Sequence, residues 1–233
     1  MTEAFELGDI TICLTRKRVK NVHLTVHPPD GRVTLVAPPA TRTEVARAYA
    51  VSRLRWIRQQ QQRFREQQRE QPRQFVTRES HHVWGRRYLM NIIEIDAKPH
   101  VMLDHRQIRL FVRPGADQTK RAETIHEWHK TLLHAELPRV ISKWERTLSV
   151  KVNGYYLQRM KTKWGSCNHT AGNIRLNTEL VKKPRDLLEY VVVHEMLHLL
   201  EPTHNGRFIE LLEQHWPQWR EARAELNALP LAG

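Results

Sequence analysis

A His-Glu-x-x-His sequence near the end of the chain is the clearest group of residues whose types and spacing can do chemistry. Residues four apart on a helix lie one turn above each other on the same face, so His194 and His198 can bind one zinc ion together. Glu195 directly follows the first histidine, and its carboxylate can reach a water on the metal rather than the metal itself. The pattern therefore predicts zinc-dependent hydrolysis with Glu195 as the general base.

The third zinc ligand must come from outside this pattern, because a catalytic zinc has three protein ligands and one open position. His204 lies ten residues after His194, beyond Pro202, which ends the helix and lets the chain turn back. We predict one zinc ion per chain, held by His194, His198 and His204. Glu201 is the alternative ligand, since it shares the helical face of His194, but it can instead orient a histidine.

A hydrolase of this kind also needs a group that stabilises the oxyanion of the transition state. Tyr190 lies one helical turn before His194 and shares its face, so we predict a catalytic role for it. Three basic residues are further candidates, provided that the strand before Trp164 faces the metal: Arg159, Lys161 and Lys163.

The elements that position these residues follow from periodicity. Residues 155–160 and 173–177 predict two strands on either side of a turn at 164–168, and a peptide substrate can add as a strand beside residues 173–177. The active-site helix is predicted from Arg185 to about Glu201, and a final helix from Gly206 to His215, capped by Asn205.

The first half of the chain predicts mostly strands. Residues 10–38 alternate and contain a hairpin across Pro28-Pro29-Asp30-Gly31, and residues 75–113 return to strands. Between them, a helical stripe runs into a Gln/Arg-rich segment, residues 58–69, and is predicted to end before Pro72. The stripe consists of Val45, Ala48, Leu54, Trp56 and Ile57. A long helix from about Asp117 to Leu148 follows, with a bend or restart near Pro138.

Composition and charge indicate which partners and which cellular compartment to expect. The net charge is +13, and residues 1–120 hold 22 Lys/Arg against 12 Asp/Glu, which favours nucleic acid or a nucleotide as a partner of the basic surface. No apolar run is long enough for a membrane span, and residues 1–9 do not resemble a secretory signal. The two cysteines, Cys13 and Cys167, are far apart, so we expect a cytoplasmic protein without disulfides.

About residues 150–220 resemble the YgjP-like zinc metallopeptidases, which are related to the SprT-like group. The resemblance rests on Lys163-Trp-Gly-Ser-Cys167, on Asn173-Ile-Arg-Leu-Asn177, on Tyr190 to His198, and on His204-Asn-Gly-Arg-Phe208. Trp84-Gly-Arg-Arg-Tyr88 is similar to the family as well, whereas Ile209 stands where the family often has Trp. The resemblance implies a minimal zincin fold, with a small sheet packed on the active-site helix, and the same three histidine ligands with Glu195 as acid/base.

We therefore predict an α+β protein with two domains. Residues 1–115 form a mostly β region with the Gln/Arg-rich helix, and residues 116–233 form a helical, zincin-like metallopeptidase domain. The predicted function is cleavage of peptide bonds in a peptide or protein substrate. Two alternatives stay open: zinc-dependent hydrolysis of nucleotide phosphoanhydrides, which the basic surplus favours but the lack of a Gly-rich phosphate loop disfavours, and a nucleic-acid-associated protease.

Overall fold

The structure is a computed structural model that describes residues 2–27, 30–66 and 73–228. The chain divides into two compact units, Met1–Arg69 and Glu70–Ala232. The first unit has one hydrophobic core, and the second contains two. The predicted domain boundary at 115/116 falls inside the second unit, and the predicted end of the Gln/Arg-rich helix before Pro72 lies outside the described residues.

The first unit is a four-stranded sheet followed by two helices. The strand order is β1-β2-β4-β3, in which β2 and β4 run parallel and the other neighbours are antiparallel. The pairing of β3 with β4 confirms the predicted hairpin. The elements are β1 (Thr2–Leu7), β2 (Ile10–Arg16), β3 (His23–His27), β4 (Arg32–Ala37), α1 (Thr43–Ser52) and α2 (Leu54–Glu66).

The helices of this unit differ from the single predicted stripe. The chain breaks between α1 and α2 at Arg53. Of the predicted stripe, Ile57 is fully buried as expected, whereas Val45 and Trp56 are 58% and 39% exposed. Among the residues of the two helices whose burial the structure describes, Ala46, Ala50 and Ile57 are fully buried. Two of these are alanines, whose small side chains allow a helix to approach a sheet closely.

The second unit holds two sheets and four helices among its described residues. The strands are β5 (Ser80–Val83), β6 (Arg86–Glu94), β7 (His100–Leu103), β8 (Gln107–Val112), β9 (Gly154–Gln158), β10 (Gly165–Asn168) and β11 (Asn173–Asn177). The first sheet has the order β5-β6-β8-β7, and the second has the order β10-β11-β9. The helices are α3 (Gln118–Leu148), α4 (Arg185–Leu197), α5 (Gly206–His215) and α6 (Trp219–Ala228), with a 3₁₀ helix at Thr178–Lys182.

The long helix and the small sheet form the frame around α4. Asp117 caps α3 by accepting a hydrogen bond from the backbone N–H of Lys120, and α3 continues past Pro138 without restarting. The sheet of β9, β10 and β11 packs on α4, which confirms the predicted α+β fold with a small sheet on the active-site helix. No helix in the described parts of the chain is both long and apolar enough to cross a bilayer.

The start of α4 is fixed by the turn between β5 and β6. The backbone N–H of Trp84 donates to the carbonyl of Val181 at 2.7 Å, just before α4 begins. Trp84 and Gly85 both have positive φ, and a Cβ on Gly85 would lie 2.9 Å from Cγ of Pro184. The Arg185 guanidinium stacks over the Trp84 ring at 4.7 Å. This turn therefore anchors the helix that carries His194 and Glu195.

Candidate metal centre

The structure brings His194, His198 and His204 together. Their candidate ligand atoms all lie within 4.8 Å of one another, and the two Nε2 atoms of His194 and His204 are 3.0 Å apart. Helix α4 ends at Leu197, earlier than predicted, so His198 is its C-cap residue. His198 keeps right-handed helical backbone angles, and its ring therefore still lies on the face of His194.

Phe208 supports all three rings of this histidine cluster. Its ring centroid lies 5.0 Å from that of His194, 4.5 Å from that of His198 and 4.7 Å from that of His204. Phe208 is fully buried on the first turn of α5, and Asn205 fixes that turn by accepting a hydrogen bond from the Phe208 backbone N–H at 3.1 Å. The predicted Asn205 cap is therefore confirmed. It connects the first turn of α5, which contains Phe208, to the preceding loop, which contains His204.

Glu201 takes part through its backbone and not through its carboxylate. The Glu201 carbonyl accepts a hydrogen bond from Nδ1 of His198 at 3.0 Å, which leaves the lone pair of His198 on Nε2. The Glu201 carboxylate turns away and accepts a hydrogen bond from the Thr203 hydroxyl at 3.1 Å. The alternative third ligand is therefore not part of the cluster, whereas His204 is.

The three imidazoles suit a transition metal because they are held neutral. The pKa of His194 is lowered to about 3, mainly by burial and in smaller part by the neighbouring His198, His204 and Arg223. Burial also lowers the pKa of His198 and of His204. Two ligands of a tetrahedral zinc at 2.0–2.1 Å lie about 3.3 Å apart, close to the observed separation of the two Nε2 atoms. The donor set therefore fits zinc.

Glu195 sits directly against the backbone of Gly165 in β10. A Cβ on Gly165 would lie 2.5 Å from Oε1 of Glu195, which is closer than real Cβ atoms come to other atoms. Glu195 is 6% exposed, and burial raises the pKa of its carboxyl to about 8, with Lys163 acting in the opposite direction. The sequence analysis placed Gly165 in a turn, whereas the structure places it in strand β10. The one sequence signal for its importance was its position in the Trp-Gly-Ser-Cys element shared with the family.

Beside the cluster lies a cavity of about 730 Å³. Tyr190 lines it, is 4% exposed and has its ring centroid 6.1 Å from that of His194. Of the three basic residues considered for the oxyanion, only Lys163 lines the cavity. Arg159 instead faces Glu179, with 3.8 Å between Nε and Oε1.

The small sheet contributes to the wall of this cavity through strand β10. Gly165, Ser166 and Cys167 all line the cavity, and within the described sheet β10 pairs with β11 on one side only. The expectation of a free edge at residues 173–177 was wrong, because β11 is the central strand and pairs with both β9 and β10. Burial raises the pKa of the Cys167 thiol to about 11, so this residue stays a neutral, packed thiol at neutral pH.

Another part of the cavity wall comes from a helix that the sequence analysis did not predict. We predicted α5 as the final helix, but α6 follows it and contributes Trp219, Arg223 and Leu226 to the cavity. The signal was present in residues 219–228, which are rich in Ala, Glu, Arg and Leu, all strong helix formers.

Comparison with known proteins identifies the family. A family model described as the YgjP-like metallopeptidase domain matches residues 20–229. Among solved structures, the metallopeptidase zymogen abylysin of Pyrococcus abyssi is 17% identical and covers 38% of this chain and 90% of that chain, with a TM-score of 0.36. The zymogen jannalysin of Methanocaldococcus jannaschii is 20% identical and covers 39% and 93%, with a TM-score of 0.35. A search of curated proteins found no significant match.

Proposed function

The chain belongs to the YgjP-like metallopeptidase family, and on this premise we propose that it is a zinc-dependent peptidase whose active site is the histidine cluster. The observation that carries the proposal is the convergence of three neutral imidazoles beside the buried carboxylate of Glu195. This combination of ligands and a general base is the one that metal-assisted hydrolysis requires.

Each residue of the site has a distinct task in this proposal. His194, His198 and His204 would hold one zinc ion per chain through ring nitrogens. Zinc supplies a Lewis acid that lowers the pKa of a water and polarises the scissile carbonyl. Burial raises the pKa of Glu195 to about 8, and the positive charge of a bound ion would favour its ionised form. As a carboxylate, Glu195 accepts the proton of the attacking water and donates it to the leaving amine. Its contact with Gly165 holds the carboxylate in one place while this proton moves.

Substrate binding and oxyanion stabilisation are assigned to the cavity wall. A peptide would lie extended along the outer edge of β10 and pair with its backbone. Tyr190 would donate its hydroxyl to the oxyanion. Burial raises the pKa of that hydroxyl, which therefore keeps the proton it must donate.

The first test is metal content, measured by mass spectrometry on protein purified without chelators. Wild type should contain about one zinc per chain, and His198→Ala should lose it. Glu195→Gln should retain zinc but should not cleave unfolded casein, because the general base is gone. Freshly purified wild type without a stoichiometric transition metal, or Glu195→Gln with wild-type turnover, would contradict the proposal.

Nucleotide hydrolysis is the alternative that this assay must include. The run of basic residues at Arg159, Lys161 and Lys163 favours a phosphate substrate, but of the three only Lys163 lines the cavity. A panel of nucleoside triphosphates assayed beside casein separates the two reactions. Binding of nucleic acid through the basic surface stays a prediction, and a steep salt dependence of DNA binding would support it.

A further inference from the structure

Helix α6 places the exposed guanidinium of Arg223 on the wall of the cavity beside the histidine cluster. Arg223 lines this cavity and makes no hydrogen bond or ion pair with any residue in the described parts of the chain. Arg220, on the same helix, behaves differently. It pairs with Glu213 at 2.6 Å, stacks over the Trp219 ring at 4.5 Å and does not line the cavity.

Arg223 lines the same cavity as His194, His204 and Glu195. Lys163 lines this cavity as well, on the residues that lead into β10. Two cationic side chains from different segments of the chain therefore line the cavity that contains the histidine cluster.

The cavity contains little negative charge to balance these cations. Glu195 is the single acidic residue among the described residues that line it, and a bound metal ion would add further positive charge. Lys163 and Arg223 are both exposed, so an anionic group on the substrate gains most from their charges once the bound peptide excludes water from the cavity. A guanidinium binds a carboxylate through two parallel hydrogen bonds, which fixes its orientation as well as its charge.

The geometry points to Arg223 as a specificity-determining residue that binds a substrate carboxylate next to the scissile bond. This inference rests on the proposed peptidase function and adds a substrate class to it, peptides with an acidic group at the cleavage site. This carboxylate can belong either to an Asp or Glu side chain or to the C-terminus of the peptide. Trp219, one turn earlier on α6, also lines the cavity, and its buried indole N–H has no hydrogen-bond partner among the described residues.

Two series of fluorogenic peptides test the inference on the zinc-loaded full chain. In the first, Asp or Asn, and Glu or Gln, alternate at the positions beside the scissile bond, and every peptide has an amidated C-terminus. In the second, neutral peptides end close to the scissile bond as either the free acid or the amide. Wild type should show a kcat/KM about 10-fold to 100-fold higher for the carboxylate member in at least one series. Equal values in both series would overturn the inference.

Variants of α6 assign the preference to a residue. Arg223→Gln should bring the ratio of acidic to amide peptides close to one, and Arg223→Glu should reverse it towards peptides with Lys at the same position. Arg220→Gln is the matched control on the same helix and should keep the wild-type ratio. A ratio that Arg223→Gln leaves unchanged would show that another group binds the carboxylate.

A binding measurement separates this inference from the proposed function. Glu195→Gln should bind the peptides without cleaving them, and fluorescence anisotropy of labelled Asp and Asn peptides gives the affinity ratio directly. If wild type cleaves no peptide but Glu195→Gln binds the Asp peptide more tightly, and Arg223→Gln in that background abolishes the difference, the peptidase function fails and the inference stands. If wild type cleaves peptides but shows no preference for a carboxylate, the peptidase function stands and the inference about Arg223 fails.

Discussion

Replacing Gly165 by alanine should separate the position of Glu195 from its chemistry. The added Cβ would lie 2.5 Å from Oε1, 2.6 Å from Cγ and 2.8 Å from Cδ of Glu195, whereas ordinary contacts begin near 3.4 Å. The carboxylate must therefore move by about 1 Å. A displacement of about 1 Å can cost about 100-fold in rate when the group must be aligned with the reacting atoms. We expect kcat/KM for peptides to fall by about that factor.

The same clash should reduce stability, because Glu195 is 6% exposed and the clash includes its Cγ, which cannot move aside as freely as the carboxylate end. Overpacking of this kind costs about 1–3 kcal/mol of unfolding free energy. Glu195→Ala removes all three atoms that the new Cβ would meet. In that background, Gly165→Ala should therefore cost much less, and the double-mutant cycle should give a coupling free energy of about 1–3 kcal/mol.

The assay combines urea unfolding of the four proteins of this cycle with zinc content and peptide hydrolysis for wild type and Gly165→Ala. Zinc should stay bound in Gly165→Ala, because the close contacts of the new Cβ are with Glu195 and not with the three histidines. Gly206→Ala is the matched control, since a Cβ there meets nothing within 4 Å. Wild-type hydrolysis by Gly165→Ala, or an equal loss of stability in both backgrounds, would refute the contact between Glu195 and Gly165.

Three further changes test the frame around the site. Asn205→Ala should lower the unfolding free energy by about 1 kcal/mol in thermal melts, because it removes the α5 cap. Phe208→Ala should weaken zinc retention in chelator competition, since all three imidazoles lose the ring they pack on; unchanged retention would show that the ligands do not depend on it. Burial lowers the pKa of His129 well below 6.5, so the unfolded state binds its proton first and stability falls as pH drops below about 6.5. His129→Phe should reduce that slope by about 1.4 kcal/mol per pH unit in urea titrations, and an identical slope would contradict the buried, neutral assignment.

Elements that depend on neighbours in sequence were predictable. The hairpin of β3 and β4, helix α3 and the Asn205 cap follow from alternation, helical period and capping chemistry, which operate over a few residues. The shared face of His194 and His198 is local in the same sense, since it needs only four residues of helical backbone. The sequence alone therefore predicted the fold class and the histidine cluster, with His204 favoured as the third member and Glu201 left open as the alternative.

Tertiary structure decided the features that join distant segments. The choice of the His204 side chain over that of Glu201 depends on the turn that follows α4 and on Phe208, which no local period specifies. The contact of Gly165 with Glu195 joins residues 30 apart, and the outer position of β10 depends on β11 pairing with β9 as well. Arg223 reaches the cavity only because α6 packs back on α4. Packing and strand order arise from the mutual fit of surfaces far apart in the chain, so spacing within one segment could not predict them.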